Sequence, residues 1–399
     1  RVGNGLTKEK ESPYGDFSTY TKLLPYEKYK DENGKMLRRL NWSRVLDFEP
    51  INPLYEAELG SYDKGKTNTI TDNLSVNWYI KPTLWVRAEA SVTQSVNKRE
   101  KFIDPLSVHN NLQYGDDRSY VGSLTKSDRE STSWEGKFTI SYNESILNHN
   151  INLSGGAEVR TSKNNSSSGT YKGFQSAEFS SPEFARDMPN KPGFSETQTR
   201  LFGVYFRLNY SYRDIYLADA TVRFDGSSEF GSDKRYAPFL SAVVGLNVHK
   251  YPFMERFGFI NHLKVRGSFG QTGNVNFAPY AAVPTHVIDT DEWYVSGPAT
   301  SLMSTRGNRD LKWEKTNKLD MGFELGVLND LFYLEFTWYN EVTNGLINDA
   351  SLPSSTGFAT YLTNVGKVDN KGFELHLRAQ LLRTSDWYVA VYANMAHNK

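Results

Sequence analysis

The stretch KLDMGFELGVLNDLFYLEFTWYN, residues 318–340, decides how the whole chain is read. Leu319, Met321, Phe323, Leu325 and Val327 alternate with Asp320, Gly322, Glu324 and Gly326. After Asn329-Asp330, Phe332, Leu334, Phe336 and Trp338 alternate with Tyr333, Glu335, Thr337 and Tyr339. Period-two alternation on both sides of a short polar turn predicts an antiparallel hairpin with one apolar and one polar face. Such an apolar face is covered either by a protein core or by lipid.

The pattern recurs along the chain. Ile70-Leu74-Val76-Trp78-Ile80 and Leu84-Val86-Ala88-Ala90-Val92 flank Lys81-Pro82, and Trp134 to Tyr142 leads through NESILNH into Ile151 to Val159. Phe202 to Tyr212 turns at Arg213-Asp214 into Tyr216 to Phe224. Leu240 to Val248, Leu263 to Phe269, Phe373 to Leu381 and Trp387 to Met395 repeat it. About twelve strands of roughly ten to fourteen residues result, and helical periodicity is nearly absent, YPFMERFGF being the best candidate. Short turns alternate with long polar connections at about 13–69, 98–131, 161–198, 271–316 and 343–369. A transmembrane antiparallel up-and-down β-barrel is built this way, with tight periplasmic turns and long extracellular loops. Trp78, Trp134, Trp338 and Trp387 fall on apolar parity at predicted strand ends, as an aromatic girdle requires, whereas Trp85 breaks the rule. The competing arrangement is a soluble β-sandwich or propeller, whose strands alternate too.

Composition narrows the classes. Of the 399 residues, 14% are aromatic, and the 46 basic residues balance the 46 acidic ones, which argues against a broad electrostatic attraction to nucleic acid or anionic lipid. No apolar run is long enough for a membrane-spanning helix. Cysteine is absent, so there is neither a disulfide framework nor a thiolate metal site. The chain opens at Arg1 without an initiator Met and stops inside the alternating run VAVYANMAHNK, which reads as an internal piece.

Residues 223–274 carry Arg223, Asp225, Gly226, Ser227, Ser228, Phe230 and Gly231, then Leu263, Lys264, Arg266, Ser268, Gly270, Thr272, Gly273 and Asn274. A second block runs from NRDLKWEKTNKLDMGFELG through LPSSTG to NVGKVDNKGFEL. Both resemble the SusC/RagA family of TonB-dependent outer-membrane transporters, across about 200–398. The resemblance implies an all-β barrel of about 22 strands with a plugged lumen. The plug and the TonB-contacting segment are missing here, and about twelve strands would leave two open edges in lipid. Other parts of the same polypeptide are therefore expected to complete the barrel.

The resemblance further implies a bacterial outer-membrane importer of oligosaccharides or oligopeptides, energised by the TonB complex and capped by a SusD-like surface lipoprotein. A passive porin or structural surface barrel is the alternative, and a plug upstream would distinguish them. Arg223, Asp225, Lys264, Arg266, Glu374, His376 and Arg378 share polar parity and are expected to line the lumen, Arg223 and Asp225 as an ion pair. The loop aromatics Tyr114, Tyr120, Tyr171, Phe174, Trp293 and Tyr294 are the candidates for stacking on sugars or clasping a peptide, or for contact with a lid. Enzyme signatures are missing: the seven His form no metal-ligand spacing, there is no nucleophile elbow, and GSFGQTG lacks the ending of a phosphate loop. No cofactor is expected. Asp116-Asp117 and Asp289-Asp291-Glu292 offer carboxylates to a loop calcium ion but are more simply solvated.

Overall fold

The structure, a computed structural model, describes residues 2–5, 20–21, 23, 26–40, 51–108, 120–275, 277–294 and 297–399. In chain order the strands are β1 (Val2–Gly5), β2 (Tyr62–Lys81), β3 (Leu84–Ile103), β4 (Ser123–Ile146), β5 (His149–Lys172), β6 (Gly193–Tyr212), β7 (Tyr216–Ser227), β8 (Tyr236–Asn247) and β9 (Ile260–Asn274). There follow β10 (Thr285–Tyr294), β11 (Gly297–Thr305), β12 (Glu314–Val327), β13 (Phe332–Asn344), β14 (Ile347–Ser351), β15 (Thr360–Asn364), β16 (Lys367–Arg383) and β17 (Tyr388–Asn398). One sheet takes the short β1 and twelve long strands, each hydrogen-bonded to the next, while β10–β11 and β14–β15 form separate hairpins. The opening stretch is β12 and β13, paired from Val327–Phe332 to Lys315–Asn344.

Turn chemistry explains the tight ends. Arg213 and Asp214 both take positive φ, and the Ile215 amide donates to the Tyr212 carbonyl at 2.9 Å, which matches the right-handed twist of the flanking strands. Asn329 and Asp330 do the same between β12 and β13, with Leu328 also at positive φ, so that connection takes four residues where the alternation predicts two. The NESILNH connection is shorter than its composition implies: β4 runs to Ile146 and β5 begins at His149. The stretch YPFMERFGF holds a short 3₁₀ helix, Pro252–Arg256.

At the other end the strands outrun the alternation. Both β4 and β5 have 24 residues, and β5 continues through TSKNNSSSGTYK, where both faces are polar. A backbone ladder continues without an apolar face, so strands extend into both ends of the predicted connections at 98–131 and 161–198. For the same reason Trp134 and Trp338 sit within β4 and β13 and not at their ends.

The chain forms two compact units. The first comprises Arg1–Asp72, Ser91–Trp134 and Ser162–Gln198. Its core is Phe102, Leu124 and Phe174, with Tyr62, Tyr171, Ala177 and Ala185 against it. The helix Pro53–Glu58 is capped by the fully buried Asn52, whose amide donates to the carbonyls of Leu37 and Tyr29. Glu56, also buried, accepts from the Ser107 hydroxyl and the Val108 amide.

The second unit, Asn73–Ala90, Glu135–Thr161 and Thr199–Lys399, separates the two faces of the hairpin pattern. Val76, Phe138, Phe206, Phe224, Val244, Met321 and Met395 are half or nearly half exposed although all lie on apolar parity. Among the described residues of the unit no protein core covers that face. Among the described residues no helix is long and apolar enough to cross a membrane.

Candidate functional site

The polar face of the second unit carries two ion-pair clusters, each built by a long side chain crossing a glycine. Arg223 on β7 donates through Nε to both Asp225 oxygens at 2.7 Å and through Nη2 to Glu158 on β5. The intervening strand β6 presents Gly203 opposite Asp225. A Cβ at Gly203 would lie 2.5 Å from the Asp225 carboxylate and 2.8 Å from the Arg223 guanidinium, so only glycine leaves the bridge its path.

The second cluster repeats the device. Arg266 on β9 faces Gly322 on β12, and its Nη2 reaches over that glycine to Glu335 at 2.9 Å and Thr337 at 2.8 Å on β13. Glu324 accepts from the Tyr333 hydroxyl, and it lies 3.2 Å from the His262 ring and 3.4 Å from Lys264. The Arg378 guanidinium lies over the Tyr333 ring at 5.2 Å. Tyr205 likewise spans Gly156 to meet Thr139 at 2.9 Å, and Tyr339 covers Gly372.

The structure thus gathers Lys264, Arg266 and Arg378 into one cluster and holds Arg223 with Asp225 in another. Glu374 and His376 lie on the same face of β16, opposite Thr337 and Glu335, and the His376 ring lies 6.4 Å from that of Tyr392. Glu158 and the crossing glycines Gly203 and Gly322 complete the clusters and are not singled out by spacing; long side chains facing glycines on adjacent strands are the signal that finds them. His262 is a polar-face residue of β9.

At the long-connection end of this unit the family motif makes a core. Phe230, Ala237, Phe239 and Trp313 are buried together, the rings of Phe230 and Trp313 are 4.5 Å apart, and the Trp313 indole donates to the Arg235 carbonyl at 2.9 Å. A Cβ at Gly231 would collide with the Arg309 carbonyl, and one at Gly273 with the Phe239 ring, so these motif glycines serve packing. Nearby, Glu229 is held above the usual carboxylate range by burial, the Ser227 hydroxyl opposing this in part.

Against this core lies a cavity of about 390 Å3 lined by Phe277, Arg306, Asn348, Asp349, Thr360 and Tyr361 among others. The Arg306 guanidinium sits over the Tyr361 ring at 5.2 Å. One cation, one carboxylate, an amide, a hydroxyl and an aromatic ring converge there, a set able to hydrogen-bond hydroxyl-rich or zwitterionic ligands. None of these residues is conspicuous alone in the sequence, and the loop aromatics expected to bind ligand lie elsewhere.

Those loop aromatics divide. Tyr114 lies outside the described residues, as do Asp116 and Asp117. Trp293 and Tyr294 end β10, paired with Pro298 and Gly297 of β11. Arg186 covers the Tyr120 ring at 5.3 Å, and Tyr171 packs on the core of the first unit. Phe174 must be withdrawn as a ligand-stacking residue: it is 2% exposed and meets Phe102 edge-on at 5.3 Å, its apolar surface already spent in the core. No group of three or more potential metal ligands occurs among the described residues.

A family model described as "TonB dependent receptor-like, beta-barrel" matches residues 10–398. TonB-dependent receptor P3 of Formosa agariphila is 26% identical over 379 residues, covering 90% of this chain and 37% of that protein. TonB-dependent receptor SusC of Bacteroides thetaiotaomicron is 27% identical over 366 residues, covering 88% of this chain and 34% of SusC. The chain therefore spans roughly a third of the length of these curated relatives. The solved RagAB peptide transporter superposes with a TM-score of 0.80 at 23% identity, over 92% of this chain and 40% of that one, and so shares the fold. An uncovered apolar face and a cross-linked polar face are what a barrel wall between lipid and water needs. On the match of nearly its whole length, the chain belongs to the TonB-dependent receptor β-barrel family and is an outer-membrane protein.

Proposed function

We propose that this chain is part of the wall of an outer-membrane active importer of oligosaccharides or oligopeptides. The observation that carries the reading is family membership across residues 10–398, joined to a polar face stapled by Arg223 and Arg266. In this reading the polar face, with Glu374 and His376, lines the interior, and the ion pairs stiffen the wall against a plug supplied by the rest of the polypeptide. The long connections face outward from the cell. The cavity at Arg306 and Tyr361 lies at that end and takes part in ligand capture, with Trp293 and Tyr294 as further contacts. A SusD-like lipoprotein closes the mouth, and the TonB complex supplies the energy through the plug. The proteins it is related to are receptors, and the chain performs no catalysis.

Uptake by cells expressing the full-length protein tests this. Labelled oligosaccharides and oligopeptides are offered separately, with and without a functional TonB system. Import of one class that stops when TonB is removed supports the reading, and TonB-independent diffusion of both sinks it in favour of a passive porin. Arg306→Ala with Tyr361→Ala is expected to weaken ligand binding about tenfold, the loss of about 1.4 kcal/mol of polar and stacking contacts.

A further inference from the structure

The apolar face of the second unit holds a groove of about 960 Å3 that no polar side chain enters from its own face except at one end. Strand register aligns Ala218, Val244, Gly267, Met321 and Trp338 in a row across β7, β8, β9, β12 and β13. Five strands at about 4.8 Å spacing make a row about 19 Å long. Val244, Met321 and Trp338 stand up as walls, 62%, 54% and 37% exposed, and Gly267 is the floor between them.

Nothing in the fold asks for glycine there. Its φ is not positive, and a Cβ would find only the Asp320 carbonyl at 3.9 Å and a Val244 methyl at 4.0 Å. Gly156, Gly203 and Gly372 on the polar face lie under crossing side chains; this one faces outward and stays uncovered. In a bilayer such a gap does not remain empty, since its lining would lose dispersion contacts, and water there would find no polar partners.

The end of the groove at Tyr216 indicates which molecule fills it. Tyr251 donates its hydroxyl to that of Tyr216 at 2.7 Å, and Phe253 stacks on Tyr251 at 5.5 Å. Amphipathic rings of this kind mark the level of the lipid headgroups. Lys250 and Arg256 flank the same turn, Lys250 within 3.4 Å of Asp214 and Arg256 with no ion-pair partner among the described residues. Glu255 and Asp214 balance the charge of this turn, but the Arg256 guanidinium stays without an ion-pair partner among the described residues, and one such guanidinium at headgroup level beside an apolar trough complements a lipid phosphate with its acyl chain.

We propose that the groove centred on Gly267 is a binding site for one glycerophospholipid, its acyl chain lying along the row and its phosphate at the Lys250–Arg256 turn. The site depends on the bilayer-facing side of the barrel and not on what the transporter carries.

The test uses the full-length transporter in vesicles of phosphatidylethanolamine and phosphatidylglycerol, doped with a phosphatidylethanolamine bearing a diazirine in its acyl chain. Photolabelled residues are mapped by mass spectrometry. Labelling at Val244 and Met321 is expected to exceed that at Phe202 to Phe206 on the same face by about tenfold, the preference that 1.4 kcal/mol confers. Gly267→Leu fills the floor and removes the excess, while Ala393→Leu, on the same face away from the groove, leaves it. Gly267→Ala, which the open space admits, reduces the excess and serves if the leucine variant does not fold. Even labelling along the face overturns the site, as does an excess untouched by either Gly267 variant. So does an excess that changes only when the association of two copies changes, which would assign the groove to a second barrel.

Discussion

The two faces of the second unit use glycine in opposite ways. On the polar face Gly156, Gly203, Gly322 and Gly372 are gaps already occupied, by Tyr205, by the Arg223–Asp225 pair, by the neighbouring strand beneath Arg266, and by Tyr339. On the apolar face Gly267 is a gap that no part of the unit occupies. A sheet wetted on one side must satisfy charges across strands, and a glycine lets a staple skip one strand to do so. A sheet oiled on the other side has no such need, so an open glycine there points away from the protein, to the bilayer.

The difference is most easily broken at Gly322. A Cβ there would lie 2.5 Å from the Phe336 carbonyl and 3.2 Å from the Thr337 hydroxyl. Gly322→Val is expected to cost about 3 kcal/mol through overpacking and loss of the Arg266 crossing. The heat-dependent gel shift of the folded full-length barrel should fall to markedly lower temperature; an unchanged transition would mean that the crossing is dispensable.

A smaller effect follows from removing a staple and leaving its gap. Arg223→Met strands the Glu158 and Asp225 carboxylates, the latter 9% exposed, at a cost of about 2 kcal/mol. Adding Glu158→Gln and Asp225→Asn should restore most of it, because the penalty lies in the orphaned charges. If the triple variant is no more stable than the single one, the cluster matters through packing.

Much of this architecture is legible in the alternation itself. The hairpin of residues 318–340 shows both faces, the strand count follows from its recurrence, and Arg223, Asp225, Lys264 and Arg266 fall on polar parity by counting. Which acids they meet is less legible. Glu158 lies 65 residues from Arg223, and only the register across Gly203 brings them together. Phe174 shows the opposite failure: an aromatic in a polar run reads as a binding residue, but the backbone folds it onto Phe102 and Leu124. Strand ends past Val159 are invisible because a ladder with two polar faces leaves no periodicity to read.

Glu229 sharpens the account of the rim with a modest, pH-dependent effect. Burial raises its carboxyl above the ordinary value, so the folded rim keeps the proton more readily than the unfolded chain. Its contribution is full below the ordinary carboxylate range and is lost as pH rises through the raised value. Protection from hydrogen exchange across residues 226–231, corrected for the intrinsic rate, should rise on acidification in the wild type and stay level in Glu229→Gln. An identical pH response in both proteins would remove Glu229 as its source.

The smallest stability effect belongs to Gly267, and that smallness is informative. If the glycine were structural, as those on the polar face are, Gly267→Ala would cost what a collision costs. The space above it predicts a change within about 0.5 kcal/mol, with sign set by the alanine methyl filling the floor and by the loss of unfolded-chain freedom. Thermal unfolding of the full-length protein in vesicles and in detergent separates the two contributions. A filled floor displaces a bound glycerophospholipid only where phospholipid is present, so the alanine should stabilise slightly more in detergent than in phospholipid. A large loss in both media would mean that the outward face, like the inward one, is packed by the protein alone.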